Sequence, residues 1–263
     1  MRLIRLLLLP LFALSLAACG ALREPEAPSA PLEAIPLELA TAPAEAPTES
    51  PSATPAPVET TATEEPAAVV EAVAPTATTA APAGEVRIYS ISQEQSLVRF
   101  ELGEDLRGVR TGVTGITDQI AGELALNLAD LASAQVGVIQ INARGLATDN
   151  NFRNRAIHND ILQTGPFEFI TFTPTAINGL PAAAAPGDGV RFAITGDLTL
   201  RNITQPVTFD VTATAESPDT ISGTAVATVN RGDFDLRIPS VPNVANVDEE
   251  VRLTIQFVAN ATS

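Results

Sequence analysis

Residues 85–263 are predicted to form an all-β domain, an antiparallel sandwich or barrel of about eight strands with one short helix. Three observations carry this. Runs of about eight to eleven residues alternate apolar and polar side chains, the period of a sheet with one dry face. Glycine, proline and asparagine separate the runs, as tight turns require. One segment, 150–162, breaks the alternation and adopts helical spacing.

Taken in order, "VRIYSISQEQSLVRFEL" (86–102) holds two short strands, 88–91 and 98–102, with a polar break between them. "GVTGITDQIAGELALNL" (112–128) is punctuated by Gly112, Gly115 and Gly122, then alternates Leu124, Leu126 and Leu128. "AQVGVIQINARGL" (134–146) is apolar on both parities, which suits a strand covered on both sides. In "NNFRNRAIHNDIL" (150–162), Phe152, Ala156, Ile157 and Ile161 share a helical face, and Asp149 or Asn150 is placed to cap it. "FEFITFTPTAI" (167–177) returns to strand, and "NGLPAAAAPGDG" is a loop rich in breakers. In "GDLTLRNITQPVTFDV" (196–211), Leu198, Leu200, Val207, Phe209 and Val211 face one way across a tight corner. "TISGTAVATVN" and "EEVRLTIQFVA" complete the strands. A sandwich and a barrel fit this pattern equally.

One face of "TISGTAVATVN" is small: Ile221, Gly223, Ala225, Ala227 and Val229. If it points inward, either a guest fills the volume, or facing rings (Phe100, Phe172, Phe192, Phe209) do.

The N-terminal segments differ in kind. "MRLIRLLLLPLFALSLAACG" has Arg2 and Arg5, an apolar run and then Cys19, the order of a secretory signal. The run is shorter than the ~20 residues of a spanning helix. Residues 20–84 hold twelve of the 21 prolines, no aromatic residue, and ten acids against Arg23 alone. Such a stretch buries too little to offset its ordering entropy, and is expected to be a disordered tether reaching about 45 Å on average. The domain itself has 21 acids, 12 arginines and no lysine, a net charge of −9. That argues against nucleic acid and against a basic patch on anionic lipid. Cys19 is the only cysteine, which excludes disulfides, thiolate zinc sites and thiol catalysis in the domain.

Four stretches carry a resemblance: "GDLTLRNITQPVTFDV" (196–211), "VNRGDF" (229–234), "FITFTPT" (169–175) and "INARGLATDNNFRNRAI" (141–157). In their order along the chain they resemble the YceI-like family of secreted bacterial polyisoprenoid-binding proteins, across essentially all of 86–258. The resemblance implies an eight-stranded, lipocalin-like antiparallel barrel with a long apolar cavity. "LAAC" (16–19) likewise resembles a bacterial lipobox, which implies cleavage after Ala18 and a diacylglycerol on Cys19. Asn154, Ala156, Asn202 and Asp235 depart from the family pattern, where an acid, a histidine and two glycines are expected.

The expected organisation is therefore a signal peptide (1–18), a lipid-anchored linker (19–84) and a barrel domain (85–263). The expected function is binding of a long apolar lipid, isoprenoid or quinone-like, at the extracytoplasmic face of a bacterial envelope. Such a lipid would be a guest; no cofactor is expected. Wall candidates are Phe100, Ile139, Ile141, Phe172, Leu198, Leu200, Phe209, Ala225, Ala227 and Phe234. Arg153 and Arg155 are candidates for polar groups at the cavity mouth, with solvated helix charges as the plainer alternative. The rival reading is a non-enzymatic interaction module displayed on a stalk, with loops 179–189 and 238–249 carrying the contacts. Dimerisation stays open.

His158, the only histidine, has no metal-binding partner at suitable spacing and is expected to face solvent. Asp233 is expected to pair with Arg231 or cap a turn. No Ser-His-Asp arrangement, P-loop or dinucleotide fingerprint is present, so no enzyme is expected.

Overall fold

The computed structural model describes residues 24–38 and 84–262. The expected signal (1–18), Cys19 and the stretch 39–83 lie outside them. The described residues of the domain form one antiparallel sheet, curled around an apolar lumen, and among them one α-helix stands at its rim.

The strands are β1 (Arg87–Ile91), β2 (Leu97–Leu106), β3 (Val109–Thr117), β4 (Ile120–Ala121), β5 (Glu123–Leu126), β6 (Gln135–Val136) and β7 (Ile139–Asn142). After helix α1 (Asn151–Ala156) come β8 (Phe169–Asn178), β9 (Gly189–Leu200), β10 (Ile203–Ser217), β11 (Thr220–Asn230), β12 (Val244–Ala245) and β13 (Glu250–Ala261). Thirteen strands thus stand where about eight are expected, because β1, β4, β5, β6, β7 and β12 are pieces of five residues or fewer. The run 134–146 is two strands, broken at Gly137.

The order is β4-β7-β8-β9-β10-β11-β13-β1-β5-β6. Gly122 alone separates β4, at one end of this order, from β5, the neighbour of β6 at the other. Strand β13 is shared: residues 259–261 pair with β1 and residues 252–256 with β2. The alternation places Leu198, Val207, Phe209 and Val211 in the core, as the sequence predicts. The β9–β10 corner is two residues wide. Arg201, not Asn202, takes the left-handed conformation there, with φ of 56°. Its guanidinium is held by the carbonyls of Ile161 and Asp235, at 3.2 and 3.3 Å. Asp235, the other departure from the family glycines, also has positive φ, at 49°; aspartate tolerates this better than most side chains.

Residues 24–38 depart from the expectation of a free coil. Without regular secondary structure, they lie along the outside of the sheet as a strap. Arg144 pairs with Glu26 at 3.0 Å and donates to the Ala27 carbonyl at 3.2 Å. The Ser29 N–H donates to Glu168 at 2.8 Å. Gln93 donates to the Leu32 carbonyl at 2.5 Å, and the Leu32 side chain is buried. The Leu37 N–H donates to Glu123 at 2.7 Å, with its side chain over Gly137. This explains the double parity of 134–146: the strap covers the outer side at Gly137. Burial raises the Glu168 carboxyl, but hydrogen bonds from Ser29 and Asn142 and the charge of Arg144 outweigh it and hold the group below its usual range.

Candidate apolar chamber and its mouth

Two chambers occupy the lumen. The inner one holds about 120 Å³, and Thr214 is the only polar residue among those lining it. The outer one holds about 500 Å³, within the range of small-molecule pockets. Phe172, Phe209 and Ile255 line both. The two rings meet edge to face, centroids 5.0 Å apart and planes at 75°, and form the partition between the chambers.

The phenylalanines leave space because of what lies opposite them. Phe100 pairs across strands with Gly115, and Phe257 with Gly223. A Cβ on Gly115 would stand 2.1 Å from the Phe100 ring, and one on Gly223 2.6 Å from the Phe257 ring. Each ring therefore lies flat on the wall over a missing side chain instead of crossing the lumen.

The structure distributes the wall candidates between the two chambers. Ile139 and Ala225 line the inner chamber. Phe100, Ile141, Leu198, Leu200 and Phe234 line the outer one. Phe172 and Phe209 form the partition. Ala227 is buried in the same core but lines neither chamber, lying on β11 between Ala225 of the inner and Val229 of the outer.

The two ends differ. Loop 179–188 folds over the inner chamber, supplying Leu180 and Ala184. It is fixed by hydrogen bonds from Leu131 N–H to the Ala182 carbonyl and from Ala184 N–H to the Leu128 carbonyl, both 2.9 Å. The outer chamber is rimmed by α1, the β2–β3 hairpin tip and loop 238–249. That loop is tied to the hairpin by the Arg107 N–H on the Asn243 carbonyl at 2.7 Å, by Asn246 on Asp105 at 2.7 Å, and by the Arg110–Asp248 ion pair.

Loop 238–249 is thus wall, whereas sequence reasoning named it only as a contact loop of the rival interaction module. Ile238, Val241, Val244 and Val247 all line the outer chamber. They recur every third residue, a period that neither the helix nor the strand template detects.

Asn150 caps α1, accepting from the N–H groups of Phe152 and Arg153 at 2.9 and 3.2 Å. Arg153 lies at the mouth and bonds Glu104 at 2.8 Å and Asp149 at 2.5 Å. Glu104 is itself buried, so Arg153 is a neutralising partner, not a solvated charge. Arg155 is absent from the lining and instead lies over the exposed Phe152 ring, 5.8 Å from its centroid. Asn154, the residue in place of the family acid, accepts from the Thr148 N–H and hydroxyl at 2.8 and 2.7 Å. Ala156 lines the chamber.

His158 does not face solvent; it is buried. α1 runs into a π-turn, Ile157–Ile161, that rotates it inward. Its Nε2 donates to the Leu146 carbonyl at 2.8 Å, and its Nδ1 accepts from the Thr164 hydroxyl at 3.3 Å. Burial pushes its pKa down, partly offset by the Leu146 carbonyl. Arg231 pairs with Glu249 at 2.5 Å, not with Asp233; the Asp233 carbonyl accepts from Gln205 at 2.9 Å. Among the described residues no cluster of three or more His, Cys, Asp or Glu is arranged to hold a metal ion.

A family model described as the YceI-like domain matches residues 89–259. The chain belongs to the YceI-like family. Curated relatives of this YceI-like chain include a UPF0312 protein of Pseudomonas fluorescens strain SBW25, 29% identical over 132 residues. That match covers 47% of this chain and 65% of the relative's length. Among solved structures, a polyisoprenoid binding domain from Saccharophagus degradans matches with a TM-score of 0.53 at 14% identity, covering 66% of this chain and 98% of that one. BcnA of Burkholderia cenocepacia matches with a TM-score of 0.52 at 19% identity, covering 65% and 99%. At these identities the likeness is one of fold.

Proposed function

We propose that this YceI-like protein is a lipid-anchored, extracytoplasmic carrier that sequesters one long apolar chain, isoprenoid or quinone-like, without making or breaking bonds. The observation that carries this is the outer chamber of about 500 Å³, backed by an inner one across an aromatic partition. The polyisoprenoid binding domain of similar fold supports the choice of guest.

Burial of each methylene is worth ~0.8 kcal/mol relative to water, but a chain drawn from a bilayer is already out of water. Selectivity must then come from the shape of the lumen and from polar groups at its mouth. Arg107, Asn150, Arg153 and Asn243 are the groups so placed. Acylation of Cys19 would keep the barrel beside its lipid source and raise the effective concentration.

The test is purification of the full chain without detergent, followed by lipid extraction and mass spectrometry. A stoichiometric isoprenoid or quinone is expected. An empty protein that also refuses added lipid overturns the carrier reading.

A further inference from the structure

The strap, the rim and the chamber mouth lie at related positions, and together they orient the molecule. The strap crosses the outside of the wall from the outer-chamber side to the inner-chamber side. Glu26 is held by Arg144, two residues from Leu146 of the outer chamber. Leu37 lies over Gly137, between Val136 and Ile139 of the inner one. Its N-terminal end is therefore on the outer-chamber side of the barrel. Only residues 20–23 separate Cys19 from the first strap residue, Glu24. Five residues fully extended span at most about 18 Å, far less than the free tether expected from composition.

Exposed apolar side chains stand on the rim among charged ones such as Asp149 and Arg237. Phe152 is 79% exposed, Val109 65% and Val241 43%; they come from α1, the hairpin tip and the tied-down loop. Arg155 over the Phe152 ring gives that corner an aromatic body and a cationic tip, the chemistry of a headgroup boundary. The other end is covered by loop 179–188.

We propose that the barrel docks mouth-down on the bilayer that holds Cys19, with Phe152, Val109 and Val241 entering the headgroup region and the strap fixing this orientation, so that the guest passes between membrane and chamber without crossing water. This rests on the acylation of Cys19. The contact is made by apolar side chains and therefore survives high salt, which only screens the repulsion between the domain's net negative charge and anionic lipid.

The full-length protein is reconstituted in vesicles of phosphatidylethanolamine and phosphatidylglycerol, with acylation read from the mass of its N-terminal peptide. An environment-sensitive dye is placed at Phe152→Cys and, separately, at Ala183→Cys in the loop at the far end. The dye at 152 is expected to shift to the blue and be quenched by spin-labelled lipid roughly threefold more than at 183, at low and high salt alike. Equal, water-like emission at both sites in acylated protein overturns the docking and leaves the tether intact. A chain without acyl groups overturns both. Leu32→Asp, which frees the strap but keeps the anchor, is expected to bring the signal at 152 down to that at 183; an unchanged signal removes the strap from the account.

Discussion

Filling the inner chamber from its small wall separates an open lumen from a packed one. Ala225 lines a space of about 120 Å³, whereas Ala227, two residues along the same face, lines none. At about 24 cal/mol per Å³, that void is equivalent to about 3 kcal/mol of lost stability. Ala225→Phe recovers much of this, against an overpacking cost of about 1–3 kcal/mol, and is expected to be neutral or stabilising by up to about 2 kcal/mol. Ala227→Phe has only the overpacking and is expected to lose about 1–3 kcal/mol. Urea unfolding followed by intrinsic fluorescence or circular dichroism reads both. Binding of a long isoprenoid to Ala225→Phe should weaken at least about tenfold, or 1.4 kcal/mol, because the chain loses its deepest segment. Equal destabilisation by the two substitutions would show that the interior is packed. Unchanged binding in Ala225→Phe would show that the guest never passes the partition.

Other expectations follow from the same geometry. Phe209→Ala removes half of the aromatic partition and merges the chambers; it should lose about 3–5 kcal/mol in urea unfolding and shift preference toward longer chains in competition binding. His158 is neutral in the fold with a lowered pKa, so the unfolded chain takes the proton first as pH falls through the ordinary imidazole range. Stability should therefore drop between about pH 7 and 5, and His158→Gln, which can still donate to Leu146, should flatten that slope; a persistent slope would place its origin elsewhere. Arg153→Met leaves Glu104 buried without its countercharge and should lose about 3 kcal/mol in thermal or urea unfolding, whereas Arg155→Met should change stability by less than about 0.5 kcal/mol.

Features that depend on neighbours in the chain were legible in the sequence. The alternation in 196–211 assigned Leu198, Phe209 and Val211 to the dry face, because successive side chains on a strand point to opposite sides wherever the strand lies. The cap at Asn150 and the breakers around loop 179–188 are local in the same way. Whether the lumen stays open was decided by the register between strands, which sets Phe100 against Gly115 in one hairpin and Phe257 against Gly223 across more distant strands. The inward turn of His158 and the wall role of loop 238–249 arise from non-local hydrogen bonds that no period reports. So does the strap: composition marks 24–38 as unable to fold alone, and only a sheet already formed offers Leu32 and Leu37 a surface. Local geometry selects the faces; only the assembled sheet decides what they enclose.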